Sequence, residues 1–122
     1  MPATEPGFDT ATAKTAINAA MELFHKRWML RIIWELRRGG MTFREVRSAC
    51  SEISPTVLNQ RLVELREAGI VTHAAGTGYQ LSAQGAALLK AMWPLMGWSV
   101  AWWREGLRKR PRRRPALAPQ KA

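Results

Sequence analysis

TFREVRSACSEISPTVLNQRLVEL, residues 42–65, decides how the rest of the chain is read. Thr42 and Glu45 stand at capping-box spacing: the threonine hydroxyl can accept from the third amide of a helix, and the glutamate can reach back to the cap amide. A short helix follows, with Phe43, Val46 and Cys50 on its inner face. Ser51-Glu52-Ile53 is too short to be more than a tight turn. Ser54-Pro55 then opens a new helix, serine as the cap and proline at the first position, where a missing N–H costs nothing. Leu58, Leu62 and Leu65 repeat at helical spacing as its buried stripe, and Gly69 is placed to end it in the left-handed conformation.

Two further helices precede this pair. Asp9 or Thr10 can cap the first, whose stripe is Ala16, Ile17, Ala20, Met21 and Phe24. The second should run from about Trp28 to Arg38. Trp28, Met29, Ile32, Ile33 and Leu36 wrap most of its circumference, as in a helix packed on several sides, and Gly39-Gly40 stops it. After Gly69, Ile70–Ala74 and Tyr79–Leu81 read as two short strands joined by the turn Ala75-Gly76-Thr77-Gly78. Ser82 can cap a long last helix reaching about Gly106, with Leu88, Leu89, Met92, Trp93, Leu95, Met96, Val100 and Trp103 leaving it little polar surface. The expected organisation is a leader over residues 1–9, one domain over 10–107, and a basic, disordered tail over 108–122 rich in arginine and proline.

The order is helix, helix, short helix, tight turn, capped helix, hairpin, helix: mainly α with one small β-hairpin. The pair at 42–50 and 54–68 has helix-turn-helix spacing, in which the second helix presents its N-terminal residues to base edges in the major groove. At about 100° per residue, Thr56, Gln60 and Val63 lie opposite Leu58, with Asn59 and Arg61 on the flanks. Asn and Gln can pair with adenine edges, and Arg with guanine or phosphate. Ser54 and the free amides of the first turn suit a phosphate, and Arg44 and Arg47 can hold the backbone. A solvated polar face on an ordinary helical protein has the same pattern, and spacing alone does not separate the two.

Charge favours a polyanionic partner without choosing one. The 122 residues carry 19 basic and 9 acidic side chains, a net of +10. From Arg104 onward there are 8 basic residues against 1 acidic, so much of the positive field sits at the C-terminal end. Nucleic acid and an anionic membrane surface both fit. Cys50 is the only cysteine, which rules out an intrachain disulfide and fits a reducing cytoplasm. Met1–Thr12 has neither a basic n-region nor an apolar h-region, so no secretion signal is expected. The longest nearly uncharged run, Ala91–Trp103, is shorter than the roughly 20 residues of a spanning helix and is interrupted by Pro94.

With these residues in view the chain resembles the HxlR-type winged helix-turn-helix regulators, within the broader MarR-like group. The resemblance covers roughly residues 15 to 103. It is carried by Lys26-Arg27-Trp28 with Leu30 and Ile33, by Thr42–Val46, and most specifically by Ile53-Ser54-Pro55-Thr56-Val57-Leu58-Asn59-Gln60-Arg61-Leu62. Glu64-Leu65, Gly69-Ile70-Val71, Tyr79-Gln80-Leu81-Ser82 and Gly85 continue it. It implies a homodimeric, sequence-specific DNA-binding transcription regulator, a repressor of cytoplasmic, nucleoid-associated type, bound to a palindromic operator. The fourth helix would read DNA and the hairpin would be a wing, with Thr77 in its turn added to the DNA-facing set. The first and last helices would form the dimer interface, through Ile17, Met21, Phe24, Leu89, Met92, Trp93, Met96, Trp98 and Trp103. Many such regulators carry a cysteine just ahead of the first helix, which some use to sense oxidants or electrophiles. The matching position here is Thr15, so that mechanism is not available. The wing is also shorter than usual and has no arginine at its tip, a departure the arginine-rich tail could offset by binding phosphates.

Cys50 on an apolar face reads as structural, since reactivity needs exposure and a lowered pKa. His25 and His73 have no companions at metal-ligand spacing, and no nucleophile–base pair or phosphate loop is present, so neither a cofactor nor catalysis is expected. The crowded tryptophans fit core and dimer interface, or an aromatic pocket for a small apolar effector. The basic run Arg108–Arg114 is either a nonspecific DNA anchor or a solubilising tail. The competing function is a membrane-surface or protein-interaction adaptor built on the Trp-rich last helix and the arginine tail.

Overall fold

The computed structural model describes residues 7–51 and 53–106. The basic tail over 108–122, most of the leader and the turn residue Glu52 lie outside the described residues. The chain divides into two compact units, one ending at Leu30 and one beginning at Arg31.

In the first unit, α1 spans Thr10–Phe24. The Asp9 carboxylate accepts from the Thr12 amide at 2.7 Å, and that bond holds the Asp9 carboxyl below its ordinary pKa. Trp28 follows with φ of 80°, a conformation rare for a bulky side chain. The Arg27 guanidinium lies 4.9 Å from the Trp28 ring centroid.

α2 (Met29–Glu35) begins at the end of that unit and runs into the second. The expected helix to Arg38 is shorter: Leu36–Arg38 tighten into a 3₁₀ turn, closed by Gly39 at φ 126°. α3 (Phe43–Cys50) carries both halves of the capping box, with Glu45 N–H donating to the Thr42 hydroxyl at 3.0 Å and Thr42 N–H to the Glu45 carboxylate at 2.9 Å. α4 spans Pro55–Glu67. Its end is a Schellman motif: Ile70 N–H donates to the Leu65 carbonyl and Gly69 N–H to the Arg66 carbonyl, with Gly69 at φ 80°. The core of this unit is Ile32, Ile33, Leu36, Val46, Cys50, Ile53, Leu58, Leu62, Leu65, Ile70 and Val71. It contains the stripe read from α4 and two of the three residues assigned to the inner face of α3; Phe43 is half-buried.

β1 (Val71–Ala74) pairs antiparallel with β2 (Gly78–Leu81), Val71 opposite Leu81 and Ala74 opposite Gly78, around the three-residue loop Ala75–Thr77. Met41 adds a third edge that spacing does not reveal. It exchanges two backbone hydrogen bonds with Tyr79, at 2.9 and 2.8 Å. α5 spans Ala83–Glu105, is capped by Ser82, and ends at Gly106. The Ser82 hydroxyl accepts from Gly85 N–H at 3.0 Å and contacts the Gly69 and Ile70 carbonyls, tying α5 to the end of α4.

Candidate nucleic-acid interface

The turn between α3 and α4 is fixed from both sides. Ser51 takes φ 52°, and Ile53 is buried beneath the turn. Arg47 Nε donates to the Ile53 carbonyl at 3.0 Å. Arg47, expected to hold DNA backbone, therefore also braces the turn. Ser54 Oγ accepts from Val57 N–H at 3.1 Å, and Ser54 and Thr56 are exposed at this end of α4. Such an end attracts anions through its unpaired donors and the helix dipole.

Thr56, Asn59 and Gln60 are exposed along α4, and Arg44 is exposed on α3. Arg61 is placed differently. Its side chain is only 17% exposed and its Nη1 donates to Glu64 at 2.9 Å, so its charge is engaged along the helix flank. Thr77 is exposed in the wing, but its carbonyl lies against Gly40 and its amide donates to Ala74 at 3.2 Å. Ala75 and Gly76 therefore form the outer end of the loop. Spacing missed Arg66 in the last turn of α4. At about 100° per residue it falls on the same flank as Asn59, a signal carried by the helical phase of the sequence.

The proposed interface residues divide by burial. Ile17 and Met21 on α1, and Trp93, Trp98 and Trp103 on α5, are about half exposed. Phe24, Leu89 and Met96 are half-buried. Met92 is 5% exposed in a single protomer, leaving almost no surface for another molecule, so it belongs to the core. Trp34 holds Trp93 at 5.4 Å between ring centroids, and the Arg37 guanidinium stacks 3.9 Å from the Trp34 centroid. Trp98 and Trp102 stack at 5.4 Å. Among the described residues no helix is long and apolar enough to cross a membrane, and no three His, Cys, Asp or Glu side chains cluster to hold a metal.

A braced tight turn, a capped second helix with short polar side chains outward, and an antiparallel hairpin directly after it define a winged helix-turn-helix, the fold of a class of DNA-binding transcription regulators. The chain belongs to the HxlR-like helix-turn-helix family, whose model matches residues 23–106. It is 29% identical over 89 residues to the uncharacterized HTH-type transcriptional regulator YvaP of Bacillus subtilis, an alignment covering 68% of this chain and 82% of that one. Quinone-bound YodB of B. subtilis superposes with a TM-score of 0.65 at 30% identity, covering 70% of this chain and 96% of YodB. A candidate HxlR-family transcription factor of Thermoplasma volcanium gives a TM-score of 0.66 at 28% identity, covering 70% and 82%. The protein is thus a transcriptional regulator with a DNA-binding helix-turn-helix, in a family of regulators and not of enzymes. The membrane-surface and adaptor alternative finds no support among these relatives.

Proposed function

We infer that the protein acts as a homodimeric repressor in the cytoplasm, α4 of each copy reading one half-site of a palindromic operator. Half-sites about one helical turn apart match a two-fold dimer. Thr56, Asn59 and Gln60 would meet base edges, while Arg44, Arg47 and Ser54 hold phosphates, with Arg61 and Thr77 at the margin of the contact. The observation that carries the dimer is the set of large apolar side chains left in water on one protomer, led by Trp98 at 58% and Ile17 at 55% exposure. Exposed apolar surface of this kind marks a binding face, and α1 in the first unit and α5 in the second each carry one that a second copy would bury. A dimer on its operator would then exclude polymerase from the same DNA.

Light scattering should give twice the chain mass of 13.8 kDa. The dimer should shift the DNA upstream of its own gene in the presence of excess competitor and lower transcription from that DNA in vitro. A monomer at micromolar concentration, or a shift lost to competitor, overturns the reading.

A small apolar effector is a second reading, favoured by the exposed Trp98–Trp102 stack and by the quinone-bound form of YodB. A quinone would find no reactive thiolate here. Cys50 is buried, and burial pushes its thiol up to about 11. Benzoquinone that binds reversibly, quenches tryptophan fluorescence and releases DNA would support this reading; no change in either signal removes it.

A further inference from the structure

A shallow groove of about 530 Å³ runs between α4 and β1, apart from both the turn and the wing tip. It is lined by Val63, Arg66, Glu67, Val71, Thr72 and His73. Arg66 is exposed, and its guanidinium has no ion pair or hydrogen bond among the described residues. Several other arginines are engaged: Arg61 is paired with Glu64, Arg47 is bound to the turn, Arg31 is paired with Glu35, and Arg37 is stacked on Trp34. Across the groove the His73 ring is stacked on Tyr79 with centroids 4.1 Å apart, which fixes its direction. Charged or neutral, an imidazole keeps a ring N–H to donate. Thr72 is exposed beside it, and Val63 gives the floor an apolar patch at 38% exposure.

We propose that this groove seats the sugar–phosphate backbone of duplex DNA, with Arg66 and His73 holding a phosphate from opposite walls. The proposal rests on reading α4 as the helix that enters the major groove. With a helix in one groove and the following hairpin reaching toward the next, the strand dividing the two grooves passes between them. The groove would lie on that path, and its Arg66 falls on the same flank of α4 as Asn59. Arg66 supplies a full, unspent charge for the phosphate. Glu67 opposes it, which places the phosphate at the Arg66–His73 side. Val63 meets the sugar.

The test uses the full chain with two labelled duplexes of equal length, one carrying the DNA upstream of its own gene and one scrambled. Binding is followed by anisotropy from about 50 to 200 mM salt, a range over which phosphate contacts are read from the slope. Arg66→Ala should weaken both duplexes by a similar factor, about tenfold at the lowest salt, and reduce the slope of log affinity against log salt by about 1. Arg66→Lys should keep the slope. His73→Ala should weaken both by a few-fold, and Glu67→Gln should strengthen both. Gln60→Ala, a change in the base-reading set, should weaken only the upstream duplex. If Arg66→Ala leaves affinity and slope unchanged while Gln60→Ala weakens the upstream duplex, the phosphate seat is overturned and the reading of α4 stands. If Arg66→Ala weakens the upstream duplex alone, Arg66 reads bases and the seat is again overturned. If none of these variants changes binding, both readings fall together.

Discussion

A Cβ placed on Gly85 would meet the Ile70 carbonyl oxygen and two Leu81 side-chain atoms, which lie 3.1 Å away. The first turn of α5 sits directly on the strand ends, where neighbouring backbone cannot yield as a side chain can. Gly85→Ala should therefore destabilise the fold by roughly 1–3 kcal/mol, the cost of overpacking a filled site, seen as a lower denaturant midpoint. Cys50 gives a second prediction at this scale. Its thiol is held neutral by burial, helped by Glu35 and opposed by Arg31. The unfolded chain ionises near 9 and the folded one only at about 11, so the unfolded state loses its proton first as pH rises. Stability should fall across that window by about 3 kcal/mol, and the difference between wild type and Cys50→Ala should isolate it. Rapid alkylation of the native protein at neutral pH would sink this account. Single residues were legible where their role is local. The Thr42–Glu45 box and the Ser54 cap follow from chemistry within four residues. Met92 and Arg66 were not: the burial of one and the availability of the other depend on which neighbours the chain brings past them.

At the scale of elements, α4 is the best-specified piece, since a cap, a proline, a leucine stripe and a terminal glycine all agree on its limits. Gly69 holds φ 80° with open space where a Cβ would go, so Gly69→Ala tests backbone conformation alone. About 1 kcal/mol should be lost, measured by thermal melting with DNA binding kept when the variant is folded. The wing was legible as a hairpin because its turn residues and alternation are local. Its third edge at Met41 was not, because that residue joins Tyr79 from 38 positions away and carries no β signal of its own. α2 was read too long for a related reason. Its apolar spacing continues through Leu36, and only the Gly39 geometry shows that the last turn has tightened.

For the whole molecule the two predictions concern assembly and charge. Trp98→Glu should place a charge in the middle of the surface argued to join two copies. It should convert the dimer to monomer in sedimentation and weaken operator binding by several orders of magnitude, since one half-site loses the other's energy. An unchanged dimer would move the interface elsewhere. Removing residues 108–122 deletes seven basic side chains and no acidic one. Affinity for all duplexes should fall and salt dependence weaken, while the ratio of specific to scrambled binding holds. An unaltered salt slope would make the segment a solubilising one. Family and fold were legible at this scale from the order of motifs. A dimer is implied only by resemblance, because an apolar helix reads alike whether it is covered by its own chain or by another.

Gly40 and Gly78 approach the strand and turn backbone so closely that a Cβ on either would strike a carbonyl, that of Thr77 and that of Met41 respectively. The hairpin is in effect welded along its β2 side up to Thr77, leaving Ala75 and Gly76 as the open end of the turn. Engineering of new operator preference therefore has one permissive address. A longer, arginine-bearing insert between Ala75 and Gly76 should be accepted at the expense of the Thr77–Ala74 turn bond alone, whereas any residue added beside Gly40 or Gly78 should cost the hairpin its attachment.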